Sequence, residues 1–363
     1  MIKKKILIAT GGTGGHIFPA YSLAKYLKSN NYNVNLTTDE RGSKYLKNFD
    51  NLEIIKISSS PLVKKSIFKF IFSINIIILA IIRSLLYLIL NRPSIIFGMG
   101  GYSSFPVCIA ASILRIKFII YENNLILGKA NKYLLPFAEK IFVSYKELEG
   151  IKSKYQKKIF KVGNIIRQEI IDLSTSNKED NFKRLKILVL GGSQAAESFA
   201  NDLPQIFHKL KKFGIPLKIY QQCLKKQNNQ LSQYYNKVGI DHEIFNFTDK
   251  ILKYYSEANL VITRSGASVL GELINVKKAF ISIPLPSAAD NHQYKNAEFY
   301  KKKGYGYLIE EKDVKSKLFD LIRSLTENDL LIKNLLLNQR QHSDTHIFTI
   351  LNDELEEILN EKN

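Results

Sequence analysis

The residues best suited to chemistry lie in three loops. Gly11-Gly12-Thr13-Gly14-Gly15 puts four glycines in five positions and runs straight into His16. A tight turn needs fewer glycines, and four let backbone approach a ligand closely. An imidazole at the mouth of the following helix titrates in the range needed to accept a proton near neutrality. A second loop, Gly191-Gly192-Ser193-Gln194-Ala195-Ala196, also joins a strand to a helix. Ser193 there offers a hydroxyl to a phosphate or, equally well, caps its own helix. The third runs from Thr263 to Glu272 (TRSGASVLGE) and again opens a helix after a strand. Helix N-termini carry free N–H groups and the positive end of the dipole, so each loop is a seat for an anion. A carboxylate at Glu272 suits two neighbouring hydroxyls, as on a ribose, or a solvated surface. No metal site is expected. The six histidines are scattered, and Cys108 and Cys223 form no CxxC pair.

The elements that must position these loops follow from hydropathy period. Strands are predicted at Lys5–Ala9, Asn33–Thr37, Glu53–Ile57, Ser94–Phe97 and Lys117–Tyr121. Helices are predicted at Pro19–Asn30, near Ser43–Asn48, over Ile67–Leu90 and at Phe105–Leu114. After a polar stretch at 174–181 the alternation restarts, with strands at Lys186–Leu190, Leu217–Gln221, Leu260–Thr263 and Ala279–Ile283. Strands alternating with helices imply parallel sheets covered on both faces. The chain is therefore read as α/β, with two doubly wound units in series, 1–163 and 164–344. The helical stretch at 345–363 is expected to pack back on the first unit. Two such units facing each other would share a cleft at the carboxyl ends of both sheets, where ligands of open α/β sheets bind.

Composition narrows the partners. With 53 Lys+Arg against 33 Asp+Glu the chain carries a net +20, which favours polyanions or an anionic membrane face. There is no Trp and no RNA-binding aromatic signature, so nucleic acid is not expected. The apolar stretch Ile67–Leu90 is long enough for a bilayer, but Lys69, Asn75 and Arg83 interrupt it. Its surplus apolar character, flanked by Lys64, Lys65 and Arg92, fits a helix that lies on a membrane surface, with contact over 64–92. A core helix and a true span are the alternatives. Two cysteines in 363 residues suit a reducing compartment.

Seven blocks in order carry a family resemblance: GGTGGHIFPA at 11–20, GMGGYSSFP at 98–106, YENN at 121–124, VGNIIR at 162–167, GGSQAA at 191–196, TRSGASVLGE at 263–272 and ADNHQYKNAEF at 289–299. Together they resemble the MurG family of peptidoglycan N-acetylglucosaminyltransferases. The resemblance implies GT-B architecture, two facing Rossmann-like domains around an interdomain cleft. It implies inverting transfer of N-acetylglucosamine from UDP-GlcNAc to the C4 hydroxyl of the muramyl sugar in undecaprenyl-diphosphate-linked lipid I, giving lipid II. It also implies a peripheral enzyme on the cytoplasmic face of the bacterial membrane, working beside other cell-wall synthesis proteins. No cofactor is required on this reading, and free Mg²⁺ at most stimulates.

Carried over position by position, the resemblance assigns donor contacts to Thr13, Gly14, Gly15 and Asn124 in the first domain. In the second it assigns them to Arg167, Ser193, Thr248, Ala267, Ser268, Val269, Leu270, Gly271, Glu272 and Gln293. His16 and Glu122 are the candidate bases and touch the acceptor, which Tyr102 helps to seat. The sequence departs from the family pattern at Tyr121, Asn123, Ile165 and Ala195. Two rival readings remain: another lipid-directed transferase of this architecture, or a nicotinamide-dependent dehydrogenase. For the second, Asp39 closes the second strand where a ribose-binding acid would sit, but GGTGGH does not match GxGxxG.

Overall fold

The structure, a computed structural model, describes residues 3–46, 52–60, 66–174, 182, 184–248 and 250–360, without the side chains of 174 and 193–196. It falls into two compact units, one of residues 1–167 with 344–363 and one of 168–343.

The first unit runs β1 (Lys5–Ala9), α1 (Gly14–Ser29), β2 (Asn33–Thr38), α2 (Glu40–Leu46), β3 (Glu53–Lys56), α3 (Ile67–Asn91), β4 (Ile95–Gly98), α4 (Ser104–Ile113), β5 (Phe118–Glu122), α5 (Lys129–Leu134), β6 (Ile141–Val143) and β7 (Ile159–Lys161). The second runs α6 (Gln168–Ser174), β8 (Leu185–Leu190), α7 (Gly192–Lys212), β9 (Leu217–Gln222), α8 (Asn228–Lys237), β10 (Asp241–Phe245), α9 (Ile251–Glu257), β11 (Leu260–Thr263), α10 (Ala267–Asn275), β12 (Ala279–Ser282), α11 (His292–Lys302), β13 (Tyr307–Leu308), α12 (Val314–Glu327) and α13 (Asp329–Arg340). The closing helix α14 (Ile347–Asn360) returns to the first unit.

Each unit is one parallel sheet, in the orders β3-β2-β1-β4-β5-β6-β7 and β10-β9-β8-β11-β12-β13. Helices cover both faces, so the central strands are buried on both sides and read as unbroken apolar runs: ILIA in β1, LVIT in β11. In both sheets the order reverses beside the first strand, between β1 and β4 and between β8 and β11. At such a switch point adjacent loops diverge and leave a crevice at the carboxyl edge. All three glycine loops of the sequence leave strands that flank these two points, and so does the loop after β4.

Four strands lack a counterpart in the sequence reading. β6, β7 and β13 are only two or three residues long, and β10 (DHEIF) is a mostly polar edge strand. The unit boundary falls after Arg167 and not after Gly163, because 163–165 are tied into the first unit. The buried Tyr121 hydroxyl accepts the Ile165 N–H (3.0 Å) and donates to the Gly163 carbonyl (3.2 Å). Asn164 donates to Asp344 (2.9 Å), so the outgoing and returning chains are joined side by side. The return of the C-terminal helix is visible in Phe348 stacked on Tyr26 (4.7 Å between centroids) and Lys140 paired with Glu354 (2.6 Å).

Helix α3 buries a narrow stripe, Ser73, Ala80, Ser84 and Leu88, and packs on α4. Many of its other large apolar side chains point outward: Phe68 is 81% exposed, Phe72 67% and Leu90 83%. Lys64 and Lys65 lie outside the described residues, as does the polar stretch 175–181.

Candidate active site

In the first unit α1 begins at Gly14, five residues before the predicted Pro19. Thr13 is the N-cap, in extended conformation, and its hydroxyl does not cap. Gly14, Gly15 and His16 therefore occupy the first helical turn, at the positive end of the dipole and beside the switch point. Gly12 takes φ +84°, a conformation that favours glycine.

His16 lies half-buried over the loop that follows β4. Gly100 and Gly101, both at positive φ, form its floor. A Cβ on Gly100 would come within 3.1 Å of His16 Cε1, and one on Gly101 within 3.4 Å of Cδ2. The two glycines thus leave room for the ring, and nothing in the hydropathy pattern indicated this contact. Tyr102 belongs to the same loop. Its hydroxyl donates to Asp39 Oδ2 (2.8 Å).

Asp39 is 3% exposed, and both of its oxygens are engaged. Oδ1 accepts the N–H of Gly12 (3.1 Å) and of Gly42 (2.7 Å). Burial opposes ionisation, but these backbone donors and the Tyr102 hydroxyl outweigh it and hold the carboxyl below its usual range. An acid committed in this way is not available to a ribose, which removes the main support for the dehydrogenase reading.

Glu122, at the end of β5, is likewise enclosed (3% exposed). Oε1 accepts the backbone N–H and side-chain amide of Asn124 (3.1 and 2.9 Å). Oε2 accepts the Gly128 N–H (2.9 Å) and the Asn131 amide (3.0 Å). Four donors fill the carboxylate, and a substrate hydroxyl has no approach at hydrogen-bond distance. Glu122 instead pins the loop that carries Asn124. Tyr121 beside it serves the chain connection described above, and burial pushes its phenol well up.

Arg167 closes the first unit, whereas the resemblance assigned it to the second. Its guanidinium lies over the Phe18 ring (5.5 Å), one turn along α1 from the glycine loop. The shift follows from the boundary: the Tyr121 and Asp344 contacts hold 163–165 to the first sheet.

In the second unit, α7 begins at Gly192, at φ +65°, with its N–H bonded to Gln222 Oε1 (3.1 Å). The side chain of Ser193 lies outside the described residues. Helix α10 starts after Gly266. Its first internal bond is Leu270 N–H to the Gly266 carbonyl (3.1 Å), so the amides of Ala267, Ser268 and Val269 precede the ladder. Leu270 and Gly271 are buried and pack the helix down. Glu272 is half-buried and accepts the hydroxyl of the buried Tyr255 (2.9 Å), which fixes its carboxylate. Gln293 Oε1 accepts the N–H of Ser265 (3.2 Å) and of Leu285 (2.9 Å), joining the loops after β11 and β12. Thr248 turns its hydroxyl onto the Lys250 N–H (3.0 Å).

The sequence reading missed Arg264. It is buried, pairs with Glu311 (3.0 Å), donates to Ser198 (2.6 Å) and to the carbonyls of Ile283 and Pro284, and covers the Phe199 ring (4.3 Å). One side chain thereby ties α7, the loop after β12 and Glu311 to the loop that precedes α10. An Arg inside a glycine–serine loop was the available signal. Among the described residues no group of three or more His, Cys, Asp or Glu could hold a metal ion.

Residues 6–143 match the glycosyltransferase family 28 N-terminal domain, and residues 186–347 match the C-terminal domain of the same family. Curated relatives extend over nearly the whole chain. A protein of Rickettsia felis is 36% identical over 366 residues, covering 98% of this chain and all of its own length. One of Pelagibacter ubique is 33% identical over 348 residues, covering 95% of this chain and 96% of its own. Both are named UDP-N-acetylglucosamine–N-acetylmuramyl-(pentapeptide) pyrophosphoryl-undecaprenol N-acetylglucosamine transferase. Among solved structures, MurG of Acinetobacter baumannii superposes with a TM-score of 0.75 at 26% identity, covering 98% of this chain and 99% of its own.

Proposed function

The chain belongs to the MurG family of glycosyltransferases within family 28 and has its GT-B fold, and from that premise we propose that it transfers N-acetylglucosamine from UDP-GlcNAc to the muramyl sugar of undecaprenyl-diphosphate-linked lipid I, giving lipid II. The observation that carries this reading is identity of 36% in register over the full length of a named relative.

The acceptor C4 hydroxyl attacks the anomeric carbon of the donor sugar. The new oxygen–carbon bond forms as the bond to the β-phosphate breaks, UDP leaves with the electron pair, and the configuration inverts. His16 takes the hydroxyl proton. The glycines beneath it leave the ring room at the start of α1, and Glu122 is closed to substrate. The leaving diphosphate is met by the first-turn amides of α10 and by the start of α7, where preorganised dipoles stabilise developing charge. Glu272, held by Tyr255, binds the ribose hydroxyls. Gln293 sets the loops on either side of the sugar. Thr13, Gly14, Gly15, Asn124, Arg167, Ser193 and Thr248 remain donor contacts on this reading, and Tyr102 seats the acceptor.

The chain meets the cytoplasmic face of the membrane through α3. A row of Phe, Ile and Leu outside a helix whose small residues face inward matches an interfacial helix, and the basic residues along 64–92 suit anionic lipid. Other cell-wall synthesis proteins are expected beside it there. The reaction needs no metal, and free Mg²⁺ at most stimulates it.

Transfer of labelled N-acetylglucosamine from UDP-GlcNAc to a soluble lipid I analogue, with EDTA present, tests the proposal. Transfer is the expected result. Donor binding without transfer to lipid I but with transfer to neutral lipids would redirect the acceptor assignment, and failure to bind UDP-GlcNAc would overturn the function.

A further inference from the structure

Asp39 joins three segments around the glycine loop. Its Oδ1 holds the loop after β1 through the Gly12 N–H and the start of α2 through the Gly42 N–H. Its Oδ2 holds the loop after β4 through Tyr102. The space is closed to larger groups. A Cβ on Gly42 would fall 2.1 Å from Thr38 Oγ1, and one on Gly11 2.4 Å from Ser103 Cβ. The loops so joined are the one that carries His16 and the one whose Gly100 and Gly101 lie under its ring. Ser59, beyond β3, donates to the Tyr102 carbonyl (3.1 Å) and braces the same loop from the far side.

We infer that Asp39 is a positioning residue for His16: its carboxylate clamps the β1 and β4 loops together and so fixes the imidazole against the acceptor hydroxyl. The inference rests on the reading of His16 as the base. The backbone and hydroxyl donors on Asp39, Ser103 included, are neutral and short-range, so the clamp acts through geometry. Geometry is the sensitive quantity in proton transfer, where a misplacement of about 1 Å costs up to ~100-fold. Asp39→Asn keeps the size but puts an NH₂ where an oxygen accepted, so one side of the clamp opens.

The test uses the full chain. Hydrogen exchange in Asp39→Asn is expected to accelerate in peptides spanning 10–18 and 98–104 and to stay unchanged over 260–275. Modification of His16 by diethylpyrocarbonate, read by mass spectrometry, is expected to speed up. In transfer assays kcat is expected to fall about 10–100-fold, well beyond any loss of UDP-GlcNAc affinity in calorimetry, because Thr13, Gly14 and Gly15 on the clamped loop also touch the donor. A merely structural loss would lower donor affinity and kcat by equal factors. Should Asp39→Asn fold poorly, Tyr102→Phe removes only the hydroxyl on Oδ2 and is expected to give the same exchange and His16 changes to a smaller extent. Unchanged exchange and His16 reactivity in both variants would overturn the inference. So would faster exchange with kcat intact. If the wild type transfers no N-acetylglucosamine, the functional reading falls, while exchange and His16 labelling still decide whether the clamp exists.

Discussion

At the level of single side chains, His16 and Glu122 part company. The family resemblance offered both as bases. The carboxylate is consumed by four donors from the following loop and α5, and the imidazole rests on two glycines that leave it room. His16→Ala is therefore expected to lower kcat about 10²–10⁴-fold with donor affinity unchanged in calorimetry. Equal losses in both would remove the base role. Glu122→Gln is expected to act on stability, since the amide cannot accept all four bonds. Chemical denaturation should show a loss of about 1–3 kcal/mol, and the folded fraction should keep its kcat while binding UDP-GlcNAc more weakly through the loosened Asn124. Glu272→Ala is expected to weaken UDP-GlcNAc binding about 10-fold or more, the scale of a hydrogen bond to a charged group; isothermal titration with intact affinity would refute the ribose role.

Elements, not residues, decide the behaviour of α3 and of Arg264. A narrow buried stripe and a row of large apolar residues outside make α3 a helix whose exposed face serves something other than this unit's core. Replacing Phe68, Phe72 and Leu86 by Ser is expected to reduce sedimentation with anionic vesicles while leaving the melting temperature unchanged. Ser84→Leu, on the buried face, is expected to overpack the contact with α4 at a cost of about 1–3 kcal/mol in denaturation. Arg264 acts on elements in the second unit, since it ties α7 to the loop after β12 and to Glu311. Arg264→Ala leaves Glu311 unpaired and is expected to destabilise the fold by about 3 kcal/mol.

The two connections between units dominate at the level of the whole molecule. Asn164 and Asp344 are hydrogen-bonded within the first unit, and α14 buries Phe348, Leu351, Leu355 and Ile358. Ending the chain at Ser343 is therefore expected to lower the thermal midpoint and expose the first unit to proteolysis, even though its sheet is left intact. Acid should act through Asp39. Its folded-state value lies below that of the unfolded chain, so its contribution to stability is complete above the unfolded value near ~4. That contribution is lost as the pH falls through the lower folded value. Asp39→Asn should flatten this part of an acid-unfolding curve; an unaltered curve would show that the carboxylate does not report on folding.

Much of the architecture was legible in the chain. The period of the apolar runs gave the central strands, because a parallel strand buried on both faces must be apolar throughout. The glycine loops were found because backbone that approaches a ligand or turns at positive φ leaves a compositional trace. Short edge strands such as β7 and β13 left none, since two or three residues carry too little periodicity. Tertiary structure alone decided which candidate carboxylate was closed off. It also brought Asp39 and Tyr102, 63 positions apart, to one hydrogen bond, and it placed Arg167 with the first unit. Hydropathy and motifs report what a residue is and what precedes it. Whether its last acceptor is already filled depends on loops, distant in sequence, that the first sheet brings together.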